Sequence, residues 1–155
     1  IRDSMDTIHS KVASQAEQAG YKLNLYCDQD ALQSVIGIDV DHFAQVFINL
    51  VDNAIKFSAG AEKKQVDIDC LLERRNRILF RVRDYGPGVS RQQVKKIFRL
   101  FYRAENELTR ETQGTGIGLA LVQQLLRAMG GQVDVINKAP GAEFRVRLPV
   151  KSAAP

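Results

Sequence analysis

The chain has 155 residues, of which 45% are hydrophobic, and its 22 Lys and Arg against 18 Asp and Glu give a net charge of +4. This length and composition are typical of one globular domain, and they exclude intrinsic disorder and a collagen-like chain. No apolar run approaches the roughly 20 residues of a membrane helix, and we expect no signal peptide at the polar amino terminus. The basic residues are spread along the chain, which disfavours nucleic-acid binding but suits an anionic ligand such as a nucleotide.

Four segments have the apolar spacing of helices. Residues 1–19 carry an apolar stripe so thin that we expect it to pack on something outside the domain. Residues 40–57 form the strongest amphipathic pattern, and shorter helices are predicted over residues 90–98 and 119–129. The polar, aperiodic segment 102–113 is predicted to be a functional or mobile loop.

Six stretches are predicted to be strands, and most of them alternate polar and apolar residues, as half-buried strands do. They cover residues 22–27, 31–37, 65–73, 76–84, 132–137 and 143–148. Most of them follow one another as hairpins, which favours a sheet with one face in water and helices stacked on the other. The predicted fold class is therefore α/β, a two-layer sandwich whose mixed sheet is mostly antiparallel and carries its helices on one face.

The chain has two cysteines, Cys27 and Cys70, and both lie in segments of alternating polarity. A reduced, cytosolic interior is the simplest interpretation, and a single disulfide is the alternative. Cysteine and histidine residues do not cluster, so no zinc site is predicted.

A polar stripe runs along the strongest predicted helix. Asn49, Asn53 and Lys56 are four and three residues apart and share one side of that helix. A solvated polar face explains the stripe equally well. The functional alternative is a site in which an amide oxygen coordinates Mg²⁺ and a lysine meets phosphate, because magnesium is usually held by oxygen ligands together with substrate phosphates.

Two glycine-rich segments are further candidates. Asp84 ends a predicted strand and is followed by Gly86 and Gly88, so a ligand can approach the backbone while the carboxylate accepts a hydrogen bond from an exocyclic amine such as that of adenine. An ordinary turn is the simple structural explanation for this first segment. The second segment consists of Gly114, Gly116 and Gly118 and opens a helix, where exposed backbone amides favour phosphate. A flexible hinge is the structural explanation for the second segment.

Together, in this order, these motifs resemble the ATP-binding domain of bacterial sensor histidine kinases, in the Bergerat or GHKL ATPase superfamily. The resemblance covers about residues 20–150 and includes the glycines near residues 130 and 141. Residues 49–58 (NLVDNAIKFS) resemble the N box, 84–88 (DYGPG) the G1 box, 97–103 (IFRLFYR) the F box and 114–119 (GTGIGL) the G2 box.

The resemblance implies ATP and Mg²⁺ as ligands and gives each motif a role. Asn53 would ligate Mg²⁺ beside Asn49, which would line the phosphate site, and Lys56 would contact the phosphates. Asp84 would read the adenine N6 amine. The other implied nucleotide contacts are Gly86 and Gly88 at the floor, Tyr102 near the base, Arg103 toward the γ-phosphate, a lid over 103–113, and Gly114, Thr115, Gly116, Gly118 and Leu119 of the G2 box.

One position separates branches of this superfamily. The hydrolysing members, of the gyrase, mismatch-repair and chaperone types, have a glutamate general base where this chain has Asn49, and an amide cannot take up a proton. The resemblance therefore implies a kinase with catalytic roles for Asn49, Lys56 and Arg103. Neither His9 nor His42 is followed by the acidic and basic-Thr-Pro pattern of the family's phosphoacceptor histidine.

The expected organisation follows from that missing motif. Residues 1–15 are predicted to be the remnant of an upstream dimerisation and phosphoacceptor helix or a linker, 16–150 the catalytic domain, and 151–155 a tail. The expected partners are a phosphoacceptor domain of the same parent protein and, indirectly, a response regulator, with no nucleic acid and no membrane contact by this domain. We expect a homodimeric parent and a cytoplasmic location, whether or not the parent is anchored in the inner membrane. The alternatives are a stand-alone ATPase, an anti-sigma-type serine kinase, or a non-catalytic nucleotide-sensing module.

Overall fold

The computed structural model describes residues 1–74, 76–97 and 115–151. Within these ranges, none of the helices is both long enough and apolar enough to cross a membrane. The helices are α1 (Arg2–Gln18), α2 (Gln29–Leu32), α3 (Val40–Phe57), α4 (Arg91–Lys96) and α5 (Thr115–Ala128). The strands are β1 (Lys22–Cys27), β2 (Gln65–Glu73), β3 (Arg77–Arg83), β4 (Gln132–Asn137) and β5 (Ala142–Pro149).

The five strands form one sheet in the order β1-β2-β3-β5-β4. Strands β1 and β2 run parallel, since α2 and α3 connect them, and every other neighbouring pair is antiparallel. Alternation decides which face each side chain occupies, so Ile68, Phe80 and Val146 point into the core. The opposite face carries charges that pair across strands, as Arg145 does with Asp134 at 2.7 Å. This arrangement confirms the predicted mixed, mostly antiparallel sheet.

The core lies between the sheet and the helices that cover one of its faces. Helix α3 begins where the Asp39 carboxylate accepts a hydrogen bond from His42 N–H at 3.0 Å, which caps its first turn. Its apolar stripe then packs on the sheet, where the rings of Phe43, Phe47 and Phe80 lie with centroids 4.9 to 5.4 Å apart. The two-layer architecture predicted from the sequence is confirmed.

Two predictions about the first 40 residues are wrong. Residues 31–37 do not form a strand, because the short helix α2 occupies the first of them and only Ile36 makes a β-bridge, to Val150. The thin apolar stripe of α1 does not need a partner outside the chain. Its members Ile8 and Val12 are fully buried among core residues, and Gln15 Nε2 donates to the Ile48 carbonyl of α3 at 3.2 Å. The boundary at residue 15 stays a prediction, and α1 runs across it.

Candidate functional site

Asn53 is the member of the polar stripe on α3 that is buried, with 1% of its surface exposed. Its side-chain Nδ2 donates to the Asn49 carbonyl at 3.0 Å, which fixes the direction of the amide group. The other amide atom, Oδ1, is buried and has no hydrogen-bond partner among the described residues. A buried acceptor without a partner costs free energy in the folded chain, so it marks a place where a ligand would be stabilised.

Asn49 and Lys56 lie one turn to either side of Asn53 and are partly exposed. Gln45 Nε2 donates to Asn49 Oδ1 at 3.2 Å, so the Asn49 amide is held in a fixed rotamer. Lys56 Nζ lies 3.0 Å from Asp52 Oδ2, an i,i+4 ion pair on the same helix. A solvated polar face therefore describes these two residues, but it does not describe Asn53.

Asp84 follows β3 and is also buried, with 1% exposed. Its Oδ1 accepts hydrogen bonds from Gly86 N–H at 2.9 Å and Ala142 N–H at 3.4 Å, while Oδ2 is buried without a partner in the described part of the chain. Burial raises the pKa of the Asp84 carboxyl, and the two backbone donors only partly oppose that rise. The site thus presents one free carboxylate oxygen in a desolvated setting.

Glycines make the turn after Asp84 possible for two different reasons. A β-carbon at Gly86 would lie 2.7 Å from the Phe57 carbonyl oxygen and 2.8 Å from Ser58 Cα, so only glycine lets the turn rest on the end of α3. Gly88 has φ +87°, a left-handed conformation that favours glycine. The turn is therefore pressed against the same helix that carries Asn53.

A tyrosine outside the predicted motifs supports the end of α3. The Tyr21 hydroxyl lies 2.9 Å from Ser58 Oγ and 3.2 Å from the Ile55 carbonyl oxygen. The Ser58 hydroxyl in turn donates to the Ala54 carbonyl at 2.6 Å. Tyr21 thus anchors the last turn of α3 at the point where Gly86 rests on it.

The hairpin between β4 and β5 holds the Asp84 turn from the other side. The Asn137 side chain accepts from Val89 N–H at 2.7 Å and donates to the Val89 carbonyl at 2.6 Å, as a neighbouring strand would. Gly141 lies so close to the Asp84 carbonyl that a β-carbon there would be 1.9 Å from its oxygen. Sequence reasoning noted Gly141 only as part of the family-like ending and missed Asn137, because these contacts join residues about 50 positions apart.

Helix α5 brings part of the second glycine segment to α3. A β-carbon at Gly118 would lie 3.8 Å from Asn49 Cγ, so the two helices meet at Asn49. Leu119 is buried in the hydrophobic core, which leaves only its backbone for any ligand. Thr115 and Gly116 are the first two residues of α5. The remaining predicted contacts, Tyr102, Arg103 and Gly114, and the lid over residues 103–113 lie outside the described residues.

The predicted clusters therefore meet around α3. Among the described residues, two buried side-chain oxygens have no hydrogen-bond partner, Asn53 Oδ1 and Asp84 Oδ2. One belongs to α3 and the other to the turn that packs on the end of α3. An open cleft of about 590 Å³ lies between the loop that follows α3 and the turn after Asp84. Lys56, Phe57, Tyr85 and Gly86 line it, whereas Asn53 and Asp84 do not.

The comparisons with known proteins agree with this geometry. Residues 38–152 match the family described as histidine kinase-, DNA gyrase B- and HSP90-like ATPase. The chain belongs to this family. The match spans α3, the Asp84 turn and α5, so all the elements that form the site are included.

Curated proteins that are similar to this chain include sensor kinases. It is 28% identical over 147 residues to the sensor protein SrrB of Staphylococcus aureus (strain NCTC 8325 / PS 47), and this covers 94% of the chain and 24% of SrrB. It is 32% identical over 140 residues to the signal transduction histidine-protein kinase BarA of Escherichia coli (strain K12), covering 86% of the chain and 15% of BarA. The chain thus spans a quarter or less of these curated relatives.

Solved structures share the fold. Full-length ShkA in complex with AMPPNP superposes with a TM-score of 0.77 at 28% identity, covering 99% of this chain and 30% of ShkA. The catalytic domain of histidine kinase ThkA has a TM-score of 0.75 at 23% identity, covering 96% of this chain and 91% of that domain. The predicted family and fold class are confirmed.

Proposed function

We propose that this domain binds Mg·ATP and transfers the γ-phosphoryl group to a histidine on a separate phosphoacceptor domain, as the catalytic domain of a sensor histidine kinase. The observation that carries the proposal is a pair of buried oxygens, Asn53 Oδ1 and Asp84 Oδ2, that have no hydrogen-bond partner among the described residues. They belong to motifs that meet at the end of α3. The sensor kinases among the relatives and the AMPPNP complex of ShkA support the same function.

In this proposal Asp84 selects the base. Its Oδ2 accepts a hydrogen bond from the N6 amine of adenine, while Oδ1 stays occupied by Gly86 and Ala142. Guanine presents a carbonyl oxygen at the same place, which a carboxylate repels. The burial that raises the pKa of Asp84 also strengthens this discrimination, because water does not compensate a wrong partner there.

Asn53 fits the proposed magnesium ion. Its Oδ1 is a hard, neutral oxygen ligand, and the ion would take its remaining ligands from the phosphates and water, as Mg²⁺ commonly does. In the described part of the chain no group of three or more His, Cys, Asp or Glu side chains competes as an all-protein metal site. When bound, the ion supplies neutralisation of the phosphate charge.

The chain's other residues position the triphosphate. Lys56 would exchange its exposed partner Asp52 for a phosphate, and the amides at the start of α5, with Gly114 and Arg103, would hold the terminal phosphates. Asn49 cannot act as a general base, so attacking water is not activated. The nucleophile is instead a nitrogen of the acceptor histidine, which forms the new N–P bond as the bond from the γ-phosphorus to ADP breaks.

The wider setting is part of the proposal. We place the phosphoacceptor domain in the same parent polypeptide, because this chain spans only a fraction of its sensor-kinase relatives. The parent would act as a cytoplasm-facing homodimer, with or without an inner-membrane anchor, and pass its phosphoryl group on to a response regulator.

The test is phosphoryl transfer in trans. The chain is mixed with γ-labelled ATP, Mg²⁺ and the separately purified phosphoacceptor domain of its own parent protein, and acid-labile label on that domain is expected. The Asn53→Ala variant should lose transfer, and Asn24→Ala, on the outer face of the sheet, should keep it. ATP binding without transfer to the acceptor contradicts the proposal. Steady phosphate release without an acceptor would instead indicate an ATPase, and label on a serine of a partner an anti-sigma-type kinase.

A further inference from the structure

The two cysteines of the chain lie opposite each other in the sheet. Cys27 ends the edge strand β1, and its register partner on the parallel strand β2 is Cys70. Asp28 N–H donates to the Cys70 carbonyl at 2.9 Å, which fixes this register at the pair. Because the chain has two cysteines in total, each is the other's sole thiol partner within the molecule.

The geometry of this pair suits a disulfide. Neighbouring strands lie about 4.8 Å apart, and register partners on parallel strands point to the same face. Disulfides span about 4.4 to 6.8 Å between α-carbons, so the spacing of the strands falls within that range. Each thiol influences the pKa of the other, and both cysteines are free. The Cys27 thiol donates to the Asp28 carbonyl at 3.6 Å.

The two thiols differ in access to solvent. Cys70 is fully buried, whereas Cys27 is partly exposed at the end of an edge strand. An oxidant can therefore reach Cys27 first, and Cys70 is placed to react from within the core. Among the described residues, no third metal-ligating side chain joins them to form a metal site.

We infer that Cys27 and Cys70 form a modification site, at which a peroxide converts the thiol pair into an intramolecular disulfide. The Cys27 thiolate attacks one peroxide oxygen, the O–O bond breaks, and a sulfenic acid and water form. The Cys70 sulfur then attacks the Cys27 sulfur, forms the S–S bond and releases the sulfenic oxygen as a second water. Two thiols lose two electrons and two protons in total, and hydrogen peroxide is reduced to two water molecules.

The reaction should be slow at neutral pH and faster in base. Burial raises the pKa of both thiols, and the thiolate is the form that attacks. For a thiol whose pKa lies above the working pH, the thiolate fraction grows about tenfold for each pH unit. We expect the rate of disulfide formation to rise by about that factor between pH 7 and pH 8.

The test uses the reduced chain and hydrogen peroxide. After treatment, free thiols are alkylated and the protein is analysed by intact mass and by non-reducing peptide mapping. The expected product is a monomer about 2 Da lighter than the reduced chain, with no alkylated thiol and with a peptide linking Cys27 to Cys70, restored by dithiothreitol. A product cross-linked between two chains, or two alkylatable thiols after prolonged treatment, overturns the inference.

Two variants separate the proposed order of events. Cys27→Ser should leave Cys70 unreacted, because that thiol is fully buried. Cys70→Ser should trap Cys27 as a sulfenic acid or as a cross-linked dimer. If Cys70 oxidises as fast without Cys27, or if the disulfide forms only in denaturant, the folded sheet does not direct the reaction. This test does not depend on nucleotide binding, so it stands apart from the proposed kinase activity.

Discussion

Gly86 lies so close to Ser58 that a β-carbon at position 86 would be 2.8 Å from the Ser58 α-carbon. This contact joins two segments that are far apart in the chain, the end of α3 and the turn that follows Asp84. The same helix carries Asn53 one turn earlier. The distance between Asp84, the proposed contact for the base, and Asn53, the proposed metal ligand, is therefore set by how closely two backbones approach.

The first prediction tests that approach. Gly86→Ala forces a methyl group against the Phe57 carbonyl and Ser58, which should lower the free energy of unfolding by about 1–3 kcal/mol and weaken ATP binding. Gly60→Ala is the matched control, since a β-carbon there meets nothing within 4 Å, and its stability should stay within about 0.5 kcal/mol. Urea unfolding and ATP titration of both variants measure the difference. Equal behaviour of the two would contradict the packing argument.

The second prediction concerns Asp84 and the base. Asp84→Asn replaces one of the two carboxylate oxygens by an amide NH₂ group, which donates where the oxygen accepted. ATP affinity should therefore fall by about 10- to 100-fold and GTP affinity should rise. Because the variant removes a buried charge whose pKa is raised by burial, its thermal midpoint should not fall. Competition binding with ATP and GTP checks the change in affinity, and thermal unfolding checks the midpoint. If the wild type already binds GTP as well as ATP, Asp84 does not read the base.

The third prediction follows from the direction in which the pKa of Asp84 is shifted. Its pKa lies above 3.8 in the folded chain, so the folded state takes up this proton at a higher pH than the unfolded state does. The charged carboxylate thus costs stability at neutral pH, and that cost disappears as pH falls through the raised pKa. Wild-type ATP affinity should fall over the same window, because the protonated oxygen no longer accepts from the N6 amine. The Asp84→Asn variant should not show this fall in ATP affinity as the pH decreases. Identical pH profiles for the wild type and the variant would be evidence against a contact between Asp84 and the adenine amine.

The fourth prediction tests Tyr21 as a positioning residue. Tyr21→Phe removes the hydroxyl beside Ser58 Oγ and the Ile55 carbonyl and should cost about 1 kcal/mol of stability. Combined with Ser58→Ala, the two losses should not add, because the side chains touch. Tyr26→Phe, at a side chain that is 57% exposed, serves as the control. Additive losses in the double variant would show that the two hydroxyls act independently.

Periodic segments were predicted well because their own spacing determines their fold. The alternation in β2 and β3 and the stripe of α3 specify which side faces the core, and the structure agrees. The strand predicted over residues 31–37 is wrong because so short a segment rich in apolar residues also fits a turn of helix followed by irregular chain. Helix α2 takes that path and buries Ala31.

The site was predictable only in part. Motif spacing singles out Asn53 and Asp84 as candidates, but the burial of their oxygens depends on tertiary contacts that no local pattern contains. Asn137 shows the limit most clearly, because its side chain pairs with Val89 across 48 positions and reads in the sequence as an ordinary strand end. The packing of α1 on α3 was missed for the same reason.

The most direct measurement is a calorimetric titration of ATP into the wild type and Asn53→Ala, each with Mg²⁺ and with a chelator. The wild type should bind ATP more tightly by at least about tenfold when Mg²⁺ is present, and Asn53→Ala should lose that enhancement while Asn24→Ala keeps it. Absence of binding heat in the wild type, or a magnesium effect that survives Asn53→Ala, would contradict the convergence of these motifs on one nucleotide.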